Sequence, residues 1–169
     1  MQIIETSLQF RGNLAKRNTT AYIVLHHAAA SNCTIQDIHR WHLRRGWIGC
    51  GYHFFCDKEG RVYRGRPLDT VGAHVFNHNF HSVGICAEGN YEHEQMSNKQ
   101  KHAIAALLIK LKEIYPQTKI VGHRDLSPTN CPGRNYPMEE ILAIVAESEK
   151  EVGTTLFRDV PEDLSLIHI

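Results

Sequence analysis

The chain lacks several features whose absence narrows the field. No apolar run approaches the roughly 20 residues that cross a bilayer, so no membrane-spanning helix is expected. The opening stretch MQIIETSLQFRGNLAKRN has no basic segment followed by an apolar one. No signal peptide is therefore expected, and the reading is synthesis in the cytoplasm. There is no CxxC pair. The five cysteines (33, 50, 56, 86 and 131) form an odd set without zinc-finger spacing, and most read as reduced, small core residues. There is no charge excess either. A net charge of +1 gives no electrostatic case for nucleic acid or for a membrane surface. Internal repeats and linkers are missing too, so one domain is expected.

What is present is an ordinary globular composition, 42% apolar and 22% charged, with twelve scattered histidines as the unusual feature. Residues 20–26 read as a strand covered on both faces, because Ala21, Ile23 and Leu25 alternate with Tyr22 and Val24. On such a strand His26 and His27 point to opposite faces, so one of them suits a metal and the other supports or packs. Thr34 reads as an N-cap opening a helix with Ile35, Ile38 and Trp41 on its apolar stripe and Gly46 as its stop. Tyr52–Cys56, the turn 57–60 and Arg61–Arg64 read as a β-hairpin. Residues 65–80, rich in Gly, His and Asn, read as a long binding loop. Ser82–Ala87 is a further strand. Ser97–Gln100 has capping-box form and opens a helix with Ala103, Ile104, Leu107, Leu108, Leu111 and Ile114 on one stripe. Thr118–His123 is a strand, and Pro137 starts a last helix with Ile141, Leu142 and Val145. Strands alternating with helices predict an α/β fold, a single domain with a central mixed sheet flanked by helices. The expected boundaries are an N-terminal arm at 1–19, the domain at 20–149 and a C-terminal tail at 150–169.

The stretch Gly122–Cys131, GHRDLSPTNC, carries the chemistry. A short apolar strand presents His123, and a Pro-containing loop returns Cys131. With His26 these residues suit a zinc ion held by two imidazoles and a thiolate, with the fourth position open for water. A lone cysteine is more often a core residue than a ligand, and it is the pairing with His123 that favours ligation here. His27 and His53 read as supporting residues, and Trp41 and Trp47 as core. A structural zinc site would need a fourth protein ligand, for which Asp125 or His27 are the candidates.

The combination of YIVLHH, GWIGCGYHFFCDKEGRVYRGRP, VGAH, HSVGICAEGNY and GHRDLSPTNCPG resembles the type 2 N-acetylmuramoyl-L-alanine amidases. That family includes phage amidase-type lysozymes and animal peptidoglycan recognition proteins. The resemblance spans residues 20–145 and implies a mostly antiparallel, mixed sheet with a zinc-containing groove on one face. Carried over residue by residue, it implies His26, His123 and Cys131 as zinc ligands and Tyr52 as the catalytic tyrosine. Thr129, two residues before the cysteine, falls at a polar catalytic position. His74 falls on the rim of the expected groove as a substrate contact, with Asn79 and Arg66 as further contacts. Another branch carries a glutamate where this chain has Cys86, with Glu88 two residues on. The implied activity is zinc-dependent cleavage of the amide between N-acetylmuramic acid and L-alanine in peptidoglycan. The setting it suggests is a monomeric phage or prophage endolysin that reaches the cell wall after release. The alternative is a non-catalytic peptidoglycan-binding module.

Overall fold

The computed structural model describes residues 1–158. Its strands are β1 (Ile3–Ile4), β2 (Tyr22–His27), β3 (Phe54–Cys56), β4 (Val62–Arg64), β5 (Ser82–Ala87) and β6 (Lys119–Gly122). The helices are α1 (Ile35–Arg44), α2 (Asn98–Ile114) and α3 (Met138–Arg158). The doubly apolar run at residues 20–26 becomes the interior strand β2, lying between β5 and β6 in the order β1-β4-β3-β5-β2-β6. Tyr22 pairs with Ser82 on one side and with Lys119 on the other, both in parallel. The sheet is mixed, but mostly parallel rather than mostly antiparallel. The hairpin β3–β4 is its antiparallel pair, while β1–β4 and β3–β5 are parallel. Parallel neighbours need long crossovers, and here α1 follows β2 and α2 carries the chain from β5 to β6.

Alternation along β2 and β5 sorts the two faces. Ile23, Leu25, Val83, Ile85 and Ala87 pack against Ile104, Leu107, Leu108 and Leu111 of α2 and Ile141 and Val145 of α3. Each such valine, leucine or isoleucine fully removed from water contributes about 1.5–3 kcal/mol. The opposite face is covered in two patches. Cys86 and Phe55 meet Ile35 and Ile38 of α1, and Val24 and Val121 meet Val75 of the long loop. The candidate site lies on this second face.

The two helix starts differ. At α1, Thr34 Oγ1 accepts from Asp37 N–H and the Asp37 carboxylate accepts from Thr34 N–H, a reciprocal box. At α2, Ser97 Oγ accepts from Gln100 N–H (3.1 Å), but the Gln100 side chain turns inward instead of completing the box. Its amide donates to Cys56 O and Glu88 O, both at 2.9 Å, and accepts from Tyr91 Oη–H. Gln100→Leu would leave three buried polar groups without that partner. Cys56 O keeps the Glu88 N–H, and Glu88 O and Tyr91 Oη–H keep each other, so at about 0.5–1.5 kcal/mol for each lost bond a loss of roughly 2–4 kcal/mol is expected in a denaturant titration.

The N-terminal arm is built onto the domain. β1 lengthens the sheet edge, and Arg17 Nη1 donates to Leu68 O and Thr70 O. Within the stretch expected as a C-terminal tail, α3 continues through 150–158; the remainder, 159–169, lies outside the described residues. The buried face of α1 is Ile35, Ile38, His39 and His42, while Trp41 is only half-buried. Trp47 is not core but 38% exposed, with Arg45 over its ring. No described helix is long and apolar enough to cross a membrane.

Candidate active site

The end of β2 divides its two histidines as strand alternation requires. His27 Nδ1 accepts from Tyr91 N–H (3.0 Å), while His26 is buried on the face that carries Val24 and the long loop. β6 ends at Gly122, and His123 opens a single 3₁₀ turn, His123–Asp125. Asp125 locks that turn by accepting from Gly122 N–H (2.8 Å). The loop is then stapled back on itself by Arg124 N–H donating to Cys131 O (2.9 Å). This staple returns Cys131 beside His123. Among the described residues His26, His123 and Cys131 form one cluster able to hold a metal, with ligand atoms within 4.8 Å of one another. Cys131 Sγ lies 3.7 Å from His26 Nδ1. Tetrahedral zinc with bonds of about 2.0–2.3 Å sets its ligand atoms roughly 3.3–3.7 Å apart, so the donor set fits that ion and the His26–Cys131 separation already matches it. His26 is buried while His123 and Cys131 are half-buried, which leaves one side of the cluster open.

The protonation states suit ligation by neutral imidazoles. Burial, followed by the proximity of His123, His27 and His42, holds His26 well below the ordinary histidine value. Burial also lowers His123. Burial pushes the Cys131 thiol up to about 11, against the opposing pull of the His27 N–H and Arg124. At neutral pH the metal-free cluster therefore holds two neutral imidazoles and a protonated thiol.

Tyr52 stands beside this cluster, its ring 5.0 Å from that of His26. The segment carrying it is threaded between α1 and the long loop. His39 Nδ1 accepts from Cys50 N–H and His42 Nδ1 from Gly51 N–H, both at 2.9 Å. Gly51 O accepts from Ala73 N–H (2.9 Å), and a Cβ at Gly51 would sit 1.9 Å from Ala73 O, so no side chain fits there. Burial, together with the thiols of Cys86, Cys131 and Cys50, pushes the Tyr52 phenol well above its ordinary value. At neutral pH it is a donor. Reading by apolar periodicity passes over His39 and His42. Their spacing of three, continuing the stripe of Ile35 and Ile38, is the signal that places them on the buried face.

The expected substrate contacts are placed otherwise. His74 is buried rather than on a rim, and its Nδ1 lies 2.8 Å from His26 Nε2. Arg66 is also buried, donating to Cys50 O (2.7 Å) and Val71 O (3.0 Å). Asn79 Oδ1 accepts from the N–H groups of His74 and Val75. His74 and Arg66 thus lie inside the fold, and Asn79 holds the turn of the long loop. Thr129 Oγ1 accepts from Cys131 N–H (3.3 Å), within the ligand loop. Glu88 holds the main-chain N–H groups of Cys33 and Lys58 and is outside the cluster. Asp125 and His27 are likewise engaged elsewhere, so neither is a fourth ligand. The buried cysteines 33, 50, 56 and 86 are free thiols.

Residues 16–134 match the family model described as N-acetylmuramoyl-L-alanine amidase. The endolysin of Klebsiella phage KP32 is 36% identical over 126 residues, 69% of this chain and 83% of that protein. Peptidoglycan-recognition protein SC2 of Drosophila melanogaster is 34% identical over 130 residues, 70% of this chain and 71% of its own length. Among solved structures, N-acetylmuramoyl-L-alanine amidase LysC from Clostridium intestinale URNW superposes with a TM-score of 0.82 at 38% identity. That match covers 85% of this chain and 96% of LysC. With the sheet, the cluster and these likenesses in agreement, the chain belongs to the N-acetylmuramoyl-L-alanine amidase family.

Proposed function

We propose that the chain is a zinc-dependent amidase that cleaves peptidoglycan between the lactyl group of N-acetylmuramic acid and L-alanine. The observation that carries this reading is the half-open cluster of His26, His123 and Cys131 with Tyr52 beside it. The two histidines and the thiolate would hold zinc, which when bound supplies an acidified water and polarises the amide carbonyl. The rest falls to the chain itself. Tyr52 keeps its phenol proton and donates it as a hydrogen bond to the carbonyl oxygen while negative charge develops there. Thr129 accepts from Cys131 N–H and has its own hydroxyl proton left for a second polar contact. Buried His26 forms the dry floor of the site, and the half-buried His123 and Cys131 leave the approach for substrate. The proposed setting is that of an endolysin, a monomer made in the cytoplasm that reaches the wall after release. A net charge of +1 supports a role without nucleic acid or a membrane surface.

Mass spectrometry of purified peptidoglycan digested with and without a zinc chelator tests the reading. New L-alanine amino termini on intact glycan strands, abolished by the chelator, are expected. Sugar–sugar cleavage would overturn it, and binding without cleavage would favour a recognition module instead.

A second expectation concerns protons. Both imidazoles are already neutral at pH 7, so zinc displaces a proton from Cys131 alone. Zinc uptake should release about one proton from the ligands, and affinity should rise by at least about tenfold per pH unit between pH 7 and 9. The slope is positive because the thiol, at about 11, remains protonated across that window. Calorimetry in buffers of different ionisation enthalpy measures the proton count directly: one is the Cys131 thiol, a second above about pH 7 is the zinc-bound water, and a count of three would show that a histidine enters charged.

A further inference from the structure

Three hydrogen bonds behind His26 form a directed series. Ser82 Oγ lies 2.7 Å from His78 O, and a carbonyl only accepts, so the serine proton goes there. Ser82 then offers His74 Nε2 a lone pair (3.2 Å), which places the His74 proton on Nε2. His74 Nδ1 is thereby bare and accepts from His26 Nε2 at 2.8 Å. His26 must therefore carry its proton on Nε2, and its Nδ1, 3.7 Å from Cys131 Sγ, is left with a free lone pair. The series is anchored at one end by a group that has no alternative role, and each step follows from the one before.

The slot for His74 is built for that ring. A Cβ at Gly84 would lie 2.7 Å from His74 Cγ and Nδ1, and one at Gly72 would lie 2.7 Å from its Cδ2. The wall behind is fixed by His53, whose Nδ1 accepts from Gly84 N–H (3.0 Å) and whose Nε2 donates to Thr70 O (2.8 Å). Only glycine allows β5 and the long loop to approach the imidazole this closely.

We propose that His74 and Ser82 are positioning residues that set the tautomer of His26, so that its Nδ1 is presented bare to the metal. The inference rests on the metal reading above. A histidine ligand's other ring nitrogen is ordinarily tied to such a partner, and loss of that partner costs about 10–100-fold in metal affinity or activity. Here the partner is a second imidazole, which itself has two tautomers, and Ser82 decides between them. Without Ser82 the Nδ1–H form of His74 competes, meets the His26 Nε2–H donor to donor, and drives the His26 proton toward the nitrogen that the metal needs.

The test is zinc affinity by chelator competition for the wild type, Ser82→Ala, His74→Asn and His74→Leu, with thermal unfolding run on each. Ser82→Ala and His74→Leu should bind zinc about 10–100-fold more weakly. His74→Asn, which keeps an oxygen near the place of Nδ1, should recover part of that loss. Nitrogen-15 spectra of the imidazoles provide a readout that survives a failure of either His74 variant to fold. Zinc-loaded wild type should show His26 with its proton on Nε2 and metal on Nδ1. The opposite assignment would overturn the proposal, as would unchanged zinc affinity in both Ser82→Ala and His74→Leu. A wild type that binds no zinc would instead overturn the metal reading, and this proposal with it.

Discussion

Tyr52→Phe is expected to retain its zinc and to lose about 10²–10³-fold in turnover, the usual cost of removing one donor to a developing oxyanion. The expectation is specific because the ring and the hydroxyl have separable roles. The ring packs 5.0 Å from His26 and 5.6 Å from His42, and phenylalanine reproduces that volume. Within the fold the hydroxyl meets the Cys86 thiol, a weak partner whose loss costs little. Metal content by mass spectrometry and kcat on a muramyl peptide separate the two roles. Full activity in a zinc-loaded Tyr52→Phe would remove the tyrosine from the chemistry.

Cys131→Ala should have the other large effect, and by a different route. It leaves two imidazoles, one buried and one half-buried, with no anionic ligand to offset the charge of the metal. Zinc retention in chelator competition should collapse, and hydrolysis should fall to the level of chelator-treated wild type. The pH dependence sharpens the assignment. Since Cys131 is the ligand that surrenders a proton, whatever zinc binding remains in the variant should lose its tenfold-per-unit rise. A variant that still binds zinc with the wild-type slope would mean that another group titrates on binding.

Much of this architecture was legible in the residues. The alternation in Tyr22–Leu25 marks an interior strand, Thr34 and Ser97 mark helix starts, and Ser82–Ala87 is bounded as it reads. The grouping of His26, His123 and Cys131 follows from two strand ends and one loop. Strand direction was less legible, since periodicity reports which face a side chain takes and not which way its neighbour runs. Buried polar residues were the other blind spot. Gln100, His39, His42, Arg66 and His74 sit inside because each finds a partner there, and those partners lie outside the element or turn that carries the residue. Arg17 is one more such case, its guanidinium spent on two carbonyls of the loop after β4. Trp47 errs in the opposite sense: a large apolar ring reads as core, yet it lies beside His42 at the surface, with its rings 4.6 Å apart.

The central place of β2 has a consequence for biosynthesis. The strand emerges early, apolar on both sides, and both of its neighbours, β5 and β6, are made later. Pairing must wait for distant segments, the circumstance in which sheets form slowly and nascent chains stick to one another. The cluster around His26 is completed only once residue 131 has left the ribosome, so a product truncated before that loop lacks the sulfur ligand of the proposed zinc site.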